Sequence, residues 1–285
     1  MNYQEYRPNR FSILPEVVKN ILIINGIFYL ATVVFEQRGI DLSDTLGLHY
    51  FTSEKFRIWQ FVTYMFMHGS LSHIFFNMFA VWMFGAAVEN MWGGKRFLIF
   101  YLLTGLGAAV AHYGIVAYEL HPWISMMDDY TIAPTLEQLQ FIQGSDIFSM
   151  YSSRDLIQHN SEFTAEFNTI YMTSPEQALR YSADYMEILK TDLLNAPVVV
   201  GASGAVFGLL LAYGMIFPDS IIYIYFALPI KAKYFVILYG AIELFTGIAN
   251  QPGDNVSHFA HLGGLLTGLI VIYYWKYKQR NRYRY

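Results

Sequence analysis

Six stretches of the chain, residues 17 to 35, 71 to 90, 97 to 118, 198 to 217, 232 to 249 and 257 to 275, are apolar and almost free of charge. Each approaches the roughly 20 residues that a helix needs to cross the hydrocarbon of a bilayer. Read as helices, they specify an all-α membrane protein with a six-transmembrane-helix bundle. The first stretch follows a polar start with no small-residue cleavage site after it, so it reads as a retained span. Composition points the same way, with 55% hydrophobic and 18% aromatic residues against only 14% charged ones, far from the usage of a soluble domain of this size. The absence of cysteine excludes disulfides, thiolate metal sites and cysteine nucleophiles.

Six crossings place both termini on one side. That side collects Arg7, Arg10 and Lys19, then Lys95 and Arg96, then Lys231 and Lys233, and five more basic residues between 276 and 284. The positive-inside rule therefore puts both ends in the cytoplasm, and a bacterial inner membrane is the expected location. Net charge is −4, which offers no global basic surface to nucleic acid. The basic tail from Lys276 follows Tyr273, Tyr274 and Trp275 and reads as an interfacial belt held on anionic lipid.

These stretches divide the chain into a first part of the membrane core (1–118), an acidic hydrophilic insertion on the outer side (119–197), a second part of the core (198–276) and a basic cytoplasmic tail (277–285). The insertion holds twelve Asp or Glu against Arg154, Arg180 and Lys190. Its sequence Ser174-Pro175-Glu176-Gln177 carries an N-cap, a first-turn proline and a capping-box glutamine, which predicts a helix from there to Asn195. Thr135 with Gln138 predicts a shorter helix, and the rest reads as a solvated cap. Residues 219 to 230 are apolar but short and broken by Pro229, so they are expected to form a loop or interfacial segment.

Strongly polar side chains inside a span are costly and mark candidate functional sites. His73 and Asn77 open the second span, Ser203 lies near the start of the fourth, and His261 near the start of the sixth. All three spans run from outside to inside, so these four residues sit at similar depth in the outer half. A hydroxyl is a poor nucleophile unless a base takes its proton, and imidazole suits that role. The set therefore fits acyl transfer, with Ser203 as nucleophile, His261 as base, and Asn77, His73 and the Ser203 backbone N–H as donors to an oxyanion. Gly201, Gly204 and Gly264 let backbones approach closely around it. Taken alone, Ser203 also fits simple helix packing on a Gly204/Gly208 face. The imidazoles of His68, His73, His258 and His261 lack a nearby His-Glu pair or cysteine, so no metal is expected. Glu243, near the outer end of the fifth span, reads as a water-facing or helix-pairing carboxylate, His258 as an interfacial histidine.

At these residues the chain resembles the rhomboid family of intramembrane serine proteases: Gly201-Ala-Ser-Gly204, His73-Ile-Phe-Phe-Asn77, Ala260-His261-Leu-Gly263-Gly264, and the run from Glu89 to Arg96. The resemblance covers roughly residues 15 to 115 and 197 to 275. It implies a Ser203–His261 dyad without an acidic third member, an oxyanion hole at His73 and Asn77, and cleavage of membrane-embedded substrate helices near the outer face. It implies no organic cofactor and no metal, with transmembrane proteins and the bilayer as partners; it leaves the oligomeric state open. Two positions depart from the pattern. Trp59-Gln60 stands where many relatives carry Trp-Arg, and Phe207 where some place a tyrosine against the catalytic histidine. The competing readings are a rhomboid-like protein that binds client helices without cutting them, and a transporter, which would need two related halves with broken spans.

Overall fold

A computed structural model describes residues 11–151, 153–224, 227–249 and 257–282. Arg7, Arg10 and Arg284, which enter the charge argument, lie outside them. Helix α1 (Glu16–Glu36) leads through α2 (Leu42–Leu46), β1 (Leu48–His49) and α3 (Gln60–Thr63) to α4 (Leu71–Ala80). A π turn at Val81–Gly85 continues α4 into α5 (Ala86–Trp92). Then come α6 (Gly94–Ile132), α7 (Leu136–Gln143), α8 (Ile147–Met150), α9 (Arg154–Thr173) and α10 (Pro175–Asn195). The chain closes with β2 (Val198–Val199), α11 (Ser203–Ile216), β3 (Ile221–Ile224), β4 (Leu228–Lys231), α12 (Ala232–Ala249) and α13 (His258–Arg282).

The architecture is the expected helical membrane bundle. Glu16–Glu36, Leu71–Trp92, Gly94–Ile132 and Ala232–Ala249 are each long and apolar enough to cross a bilayer. The remaining two expected spans correspond to α13, which opens with two histidines, and to α11, which is only 14 residues long. At 1.5 Å per residue α11 spans about 21 Å, short of a hydrocarbon layer of about 30 Å.

α11 is short for a local reason. Val198 and Val199 favour extended backbone and pair as β2 with β1, and Gly201 adopts a φ of 121° that side chains rarely reach. The helix thus starts at Ser203 instead of residue 198. It is buried along most of its length, including Gly204, Phe207, Gly208, Leu209 and Ala212, as an apolar helix enclosed by others must be. Close contact with α13 depends on glycine: a methyl on Gly264 would land on the Gly204 carbonyl oxygen. By contrast α1 and α12 turn Ile27, Leu30, Val34, Ile237, Phe245 and Ile248 outward, the surface a lipid-facing helix presents.

α6 runs 39 residues with Pro122 inside it, about 58 Å, and passes unbroken through residue 119. Its far half supplies Val116, Leu120, Met127 and Tyr130 to a second apolar core, completed by Leu139 and Ile142 of α7, Phe163 and Phe167 of α9 and Met186 and Leu189 of α10. The insertion is therefore a packed helical unit, more than a solvated cap. Both predicted caps are present, the Thr135 side chain accepting from the Gln138 N–H and Ser174 from Gln177. Helix α9 is an addition, capped by Ser153, which accepts from the Leu156 N–H. The apolar segment 219 to 230 contributes to an antiparallel hairpin with Ile222 opposite Ile230, closed by Lys231 and Lys233 on Asp219 at 3.1 and 3.0 Å.

Candidate active site

Ser203 is the first residue of α11 and His261 lies in the first turn of α13. The glycine contact between those helices brings the two side chains together: the Ser203 Oγ is 2.8 Å from the His261 Nε2. His261 is buried, 8% exposed. Phe207, one turn beyond Ser203, stacks on its imidazole with centroids 4.3 Å apart and planes at 10°. Tyr239 of α12 also stacks on Phe207, with centroids 5.2 Å apart. The aromatic position that departs from the family pattern thus lies flat on the histidine.

Gly201 holds the approach to Ser203. Its N–H donates to the Tyr64 carbonyl at 2.9 Å, and its missing side chain leaves room for α4. A methyl there would sit 2.7 Å from the His73 Nε2 and 3.8 Å from the Asn77 Nδ2. His73 and Asn77, one turn apart on α4, therefore face the residues that precede Ser203. Asn77 is buried, and its Nδ2 donor has no partner among the described residues. A buried amide donor without a partner is expensive, and a developing negative oxygen would satisfy it. The N–H groups that open α11 add the positive end of the helix dipole at the same place. All four residues expected from the sequence are brought to one end of α11.

Two residues have a larger part than their sequence context suggested. Glu243 is not water-facing: it is 6% exposed and pairs α12 with α13, its Oε2 lying 2.8 Å from the His261 Nδ1 and 2.7 Å from the His258 Nδ1. A signal for this was present, since Glu243 shares its face of α12 with the buried Val236 and Gly247. His258 is accordingly tied into the site; its Nδ1 also lies 3.1 Å from the Thr246 Oγ1. Among the described residues, Glu243, His258 and His261 are the group placed to hold a metal, with ligand atoms within 4.8 Å of one another. Tetrahedral zinc at about 2.0–2.1 Å from each ligand would keep those atoms well over 3 Å apart, wider than the hydrogen bonds found. His68, by contrast, is buried against His73, ring centroids 4.9 Å apart.

The surrounding motif residues anchor the scaffold. Gln60 is fully buried: its Oε1 accepts from the Arg57 and His49 N–H groups at 3.0 and 3.4 Å, and its Nε2 donates to the Lys55 and Thr45 carbonyls at 3.0 and 3.2 Å. The loop between α1 and α4 is thus held by an amide where many relatives use arginine. Glu89 accepts from the Val17 and Val18 N–H groups at the start of α1, which removes orphan donors from that helix end. Arg96 lies over the rings of Trp92 and Trp275, 5.2 and 4.3 Å from their centroids.

Comparison with known proteins identifies the family. The Rhomboid domain matches residues 55–125 and 165–278, more than half of the chain. A rhomboid protease named GluP from Bacillus subtilis strain 168 is 37% identical over 60 residues, 21% of this chain and 12% of that protein. A rhomboid protease named GlpG from Salmonella newport strain SL254 is 38% identical over 52 residues, 18% of this chain and 19% of that one. The matched segments thus span well under two thirds of those relatives. With the domain match extending over both halves of the bundle, and the motif residues gathered at one end of it, the chain belongs to the Rhomboid family.

Proposed function

We propose that this protein is an intramembrane serine endopeptidase that cleaves transmembrane segments of membrane proteins near the outer face. The observation that carries the reading is the 2.8 Å contact between the Ser203 Oγ and the His261 Nε2, formed beside the buried Asn77 amide, whose Nδ2 has no partner among the described residues. Ser203 attacks the scissile carbonyl carbon while its proton passes to His261 Nε2. The oxyanion is received by Asn77, His73 and the Ser203 N–H. Collapse expels the amine, which takes the proton from His261 and leaves an ester on Ser203. Water from the outer side, deprotonated by the same imidazole, then hydrolyses that ester.

Gly201, Gly204, Phe207 and Gly264 shape the site without reacting. The charge distribution supports both termini on the cytoplasmic side of a bacterial inner membrane, with the helical unit at 119–197 outside and the basic tail on anionic lipid. The test is labelling by a fluorophosphonate in detergent. The wild-type protein should take one label, and Ser203→Ala none. A wild-type protein that folds and takes no label would instead be a rhomboid-like binder of client helices.

A further inference from the structure

The two histidine contacts of Glu243 decide which nitrogen of His261 carries the proton. An ionised carboxylate only accepts, so the 2.8 Å contact between Oε2 and the His261 Nδ1 requires a hydrogen on Nδ1. The neutral ring then leaves Nε2 bare, facing the Ser203 Oγ at 2.8 Å, where a base must hold its lone pair. With the opposite tautomer, Nε2 would present a hydrogen to Ser203, and Nδ1 a lone pair to a carboxylate. We infer that Glu243 is a positioning residue that holds His261 in the tautomer and orientation needed for attack and stabilises the imidazolium that follows.

His258 completes the arrangement. Its Nδ1 lies 2.7 Å from the same Oε2, so the carboxylate receives a second N–H and is fixed between α12 and the first turn of α13. Each of the three groups has little freedom, because Glu243 and His261 are buried and His258 nearly so. Phe207 covers one face of His261. The titratable groups around that ring are then Glu243 from α12, His258 from its own helix, Ser203 from α11 and, across Gly201, His73 from α4. An isolated carboxylate at this depth would be costly in a membrane; two imidazole N–H groups on one oxygen offset that cost. The inference rests on the serine-protease reading, and the family resemblance supplies no acidic partner for the histidine.

Two measurements separate this from a purely structural tie between helices. The first is 15N NMR of the imidazoles in the full-length protein in liposomes. The inference requires the Nδ1–H tautomer of His261 in wild type and a mixed or reversed population in Glu243→Leu, which removes the acceptor at similar volume. The second is the pH dependence of fluorophosphonate labelling. Glu243→Leu should label roughly a hundred- to ten-thousand-fold more slowly, as expected when a base loses its orienting carboxylate. Glu243→Gln, which retains an acceptor oxygen but no charge, should lose less, with the acid limb of its profile moved to lower pH. An Nε2–H tautomer in wild type overturns the assignment, and so do stoichiometric zinc at the three residues or variants that label with an unmoved profile. Failure of wild type to label at all would sink the protease reading instead; the tautomer would still decide the role of Glu243.

Discussion

Phe207 and His261 lie nearly parallel, 4.3 Å between ring centroids, so the imidazole that faces Ser203 is clamped on one face by an aromatic from the serine's own helix. The clamp is set by spacing, since Phe207 stands one helical turn beyond Ser203. Replacing it with leucine keeps the site apolar but removes the flat surface. Phe207→Leu should lower the rate of Ser203 labelling about two- to ten-fold, in line with the loss of roughly 0.5–1.5 kcal/mol of ring stacking. Phe207→Tyr should stay within a factor of about three of wild type. A leucine variant that labels at the wild-type rate would show that the ring only fills space.

Gly201 is the position where the backbone and the site constrain one another. Its φ is 121°, and an added methyl would meet the His73 Nε2 at 2.7 Å. Gly201→Ala should therefore combine backbone strain of about 1–3 kcal/mol with a displaced oxyanion donor. Losing one such donor costs about 3–4 kcal/mol of transition-state stabilisation. Cleavage of a model substrate should fall at least a hundred-fold while helicity by circular dichroism is retained.

Gln60 tests whether an amide can anchor the loop between α1 and α4. Its four hydrogen bonds serve the N–H groups of His49 and Arg57 and the carbonyls of Thr45 and Lys55. Gln60→Leu leaves those groups unpaired in a buried place and should destabilise the protein by about 2–4 kcal/mol. The measurement is the thermal midpoint of the purified protein in detergent. An unchanged midpoint would mean that other contacts hold the loop.

In the helical unit of residues 119–197, the His159 Nδ1 lies 2.6 Å from the Asp192 Oδ2. That hydrogen bond raises the pKa of His159 above its ordinary value. A raised histidine contributes stability that is fully present below the unfolded pKa of about 6.5 and is lost as pH rises through the folded value. Melting of the unit, followed by tyrosine fluorescence, should therefore move to lower temperature as pH rises above 6.5. His159→Gln should flatten that dependence. A wild-type midpoint that rises over the same range would contradict the assigned pairing.

What could be read from the sequence follows from the range of each signal. Ser203, His261, His73 and Asn77 stand out because each is a polar group in an apolar run, a local contrast that survives without a partner in view. Glu243 carried the same contrast, but its meaning depends on His258 and His261, which lie on another helix. Only the packing of α12 on α13 brings the three together. The continuation of α6 beyond residue 118 has a similar origin: the helix runs on through Pro122 to Ile132 because its far half is held by residues from α7, α9 and α10. Helix α9 was hidden because the apolar residues it buries, Leu156, Phe163 and Phe167, are sparse in a polar segment. The expected extra turn at the start of α11 failed on Gly201 and on the pairing of Val199 with Leu48, a contact across 151 residues.

Reconstitution of the protein in liposomes with a single-span substrate, beside Ser203→Ala and His261→Ala, decides whether Ser203 and His261 cut membrane segments. The wild-type protein should make a discrete cut within the substrate's membrane segment, and either variant should lose at least a thousand-fold at unchanged folding. Cleavage that persists in Ser203→Ala, or a folded wild-type protein that binds such substrates and leaves them intact, would contradict the serine-protease reading.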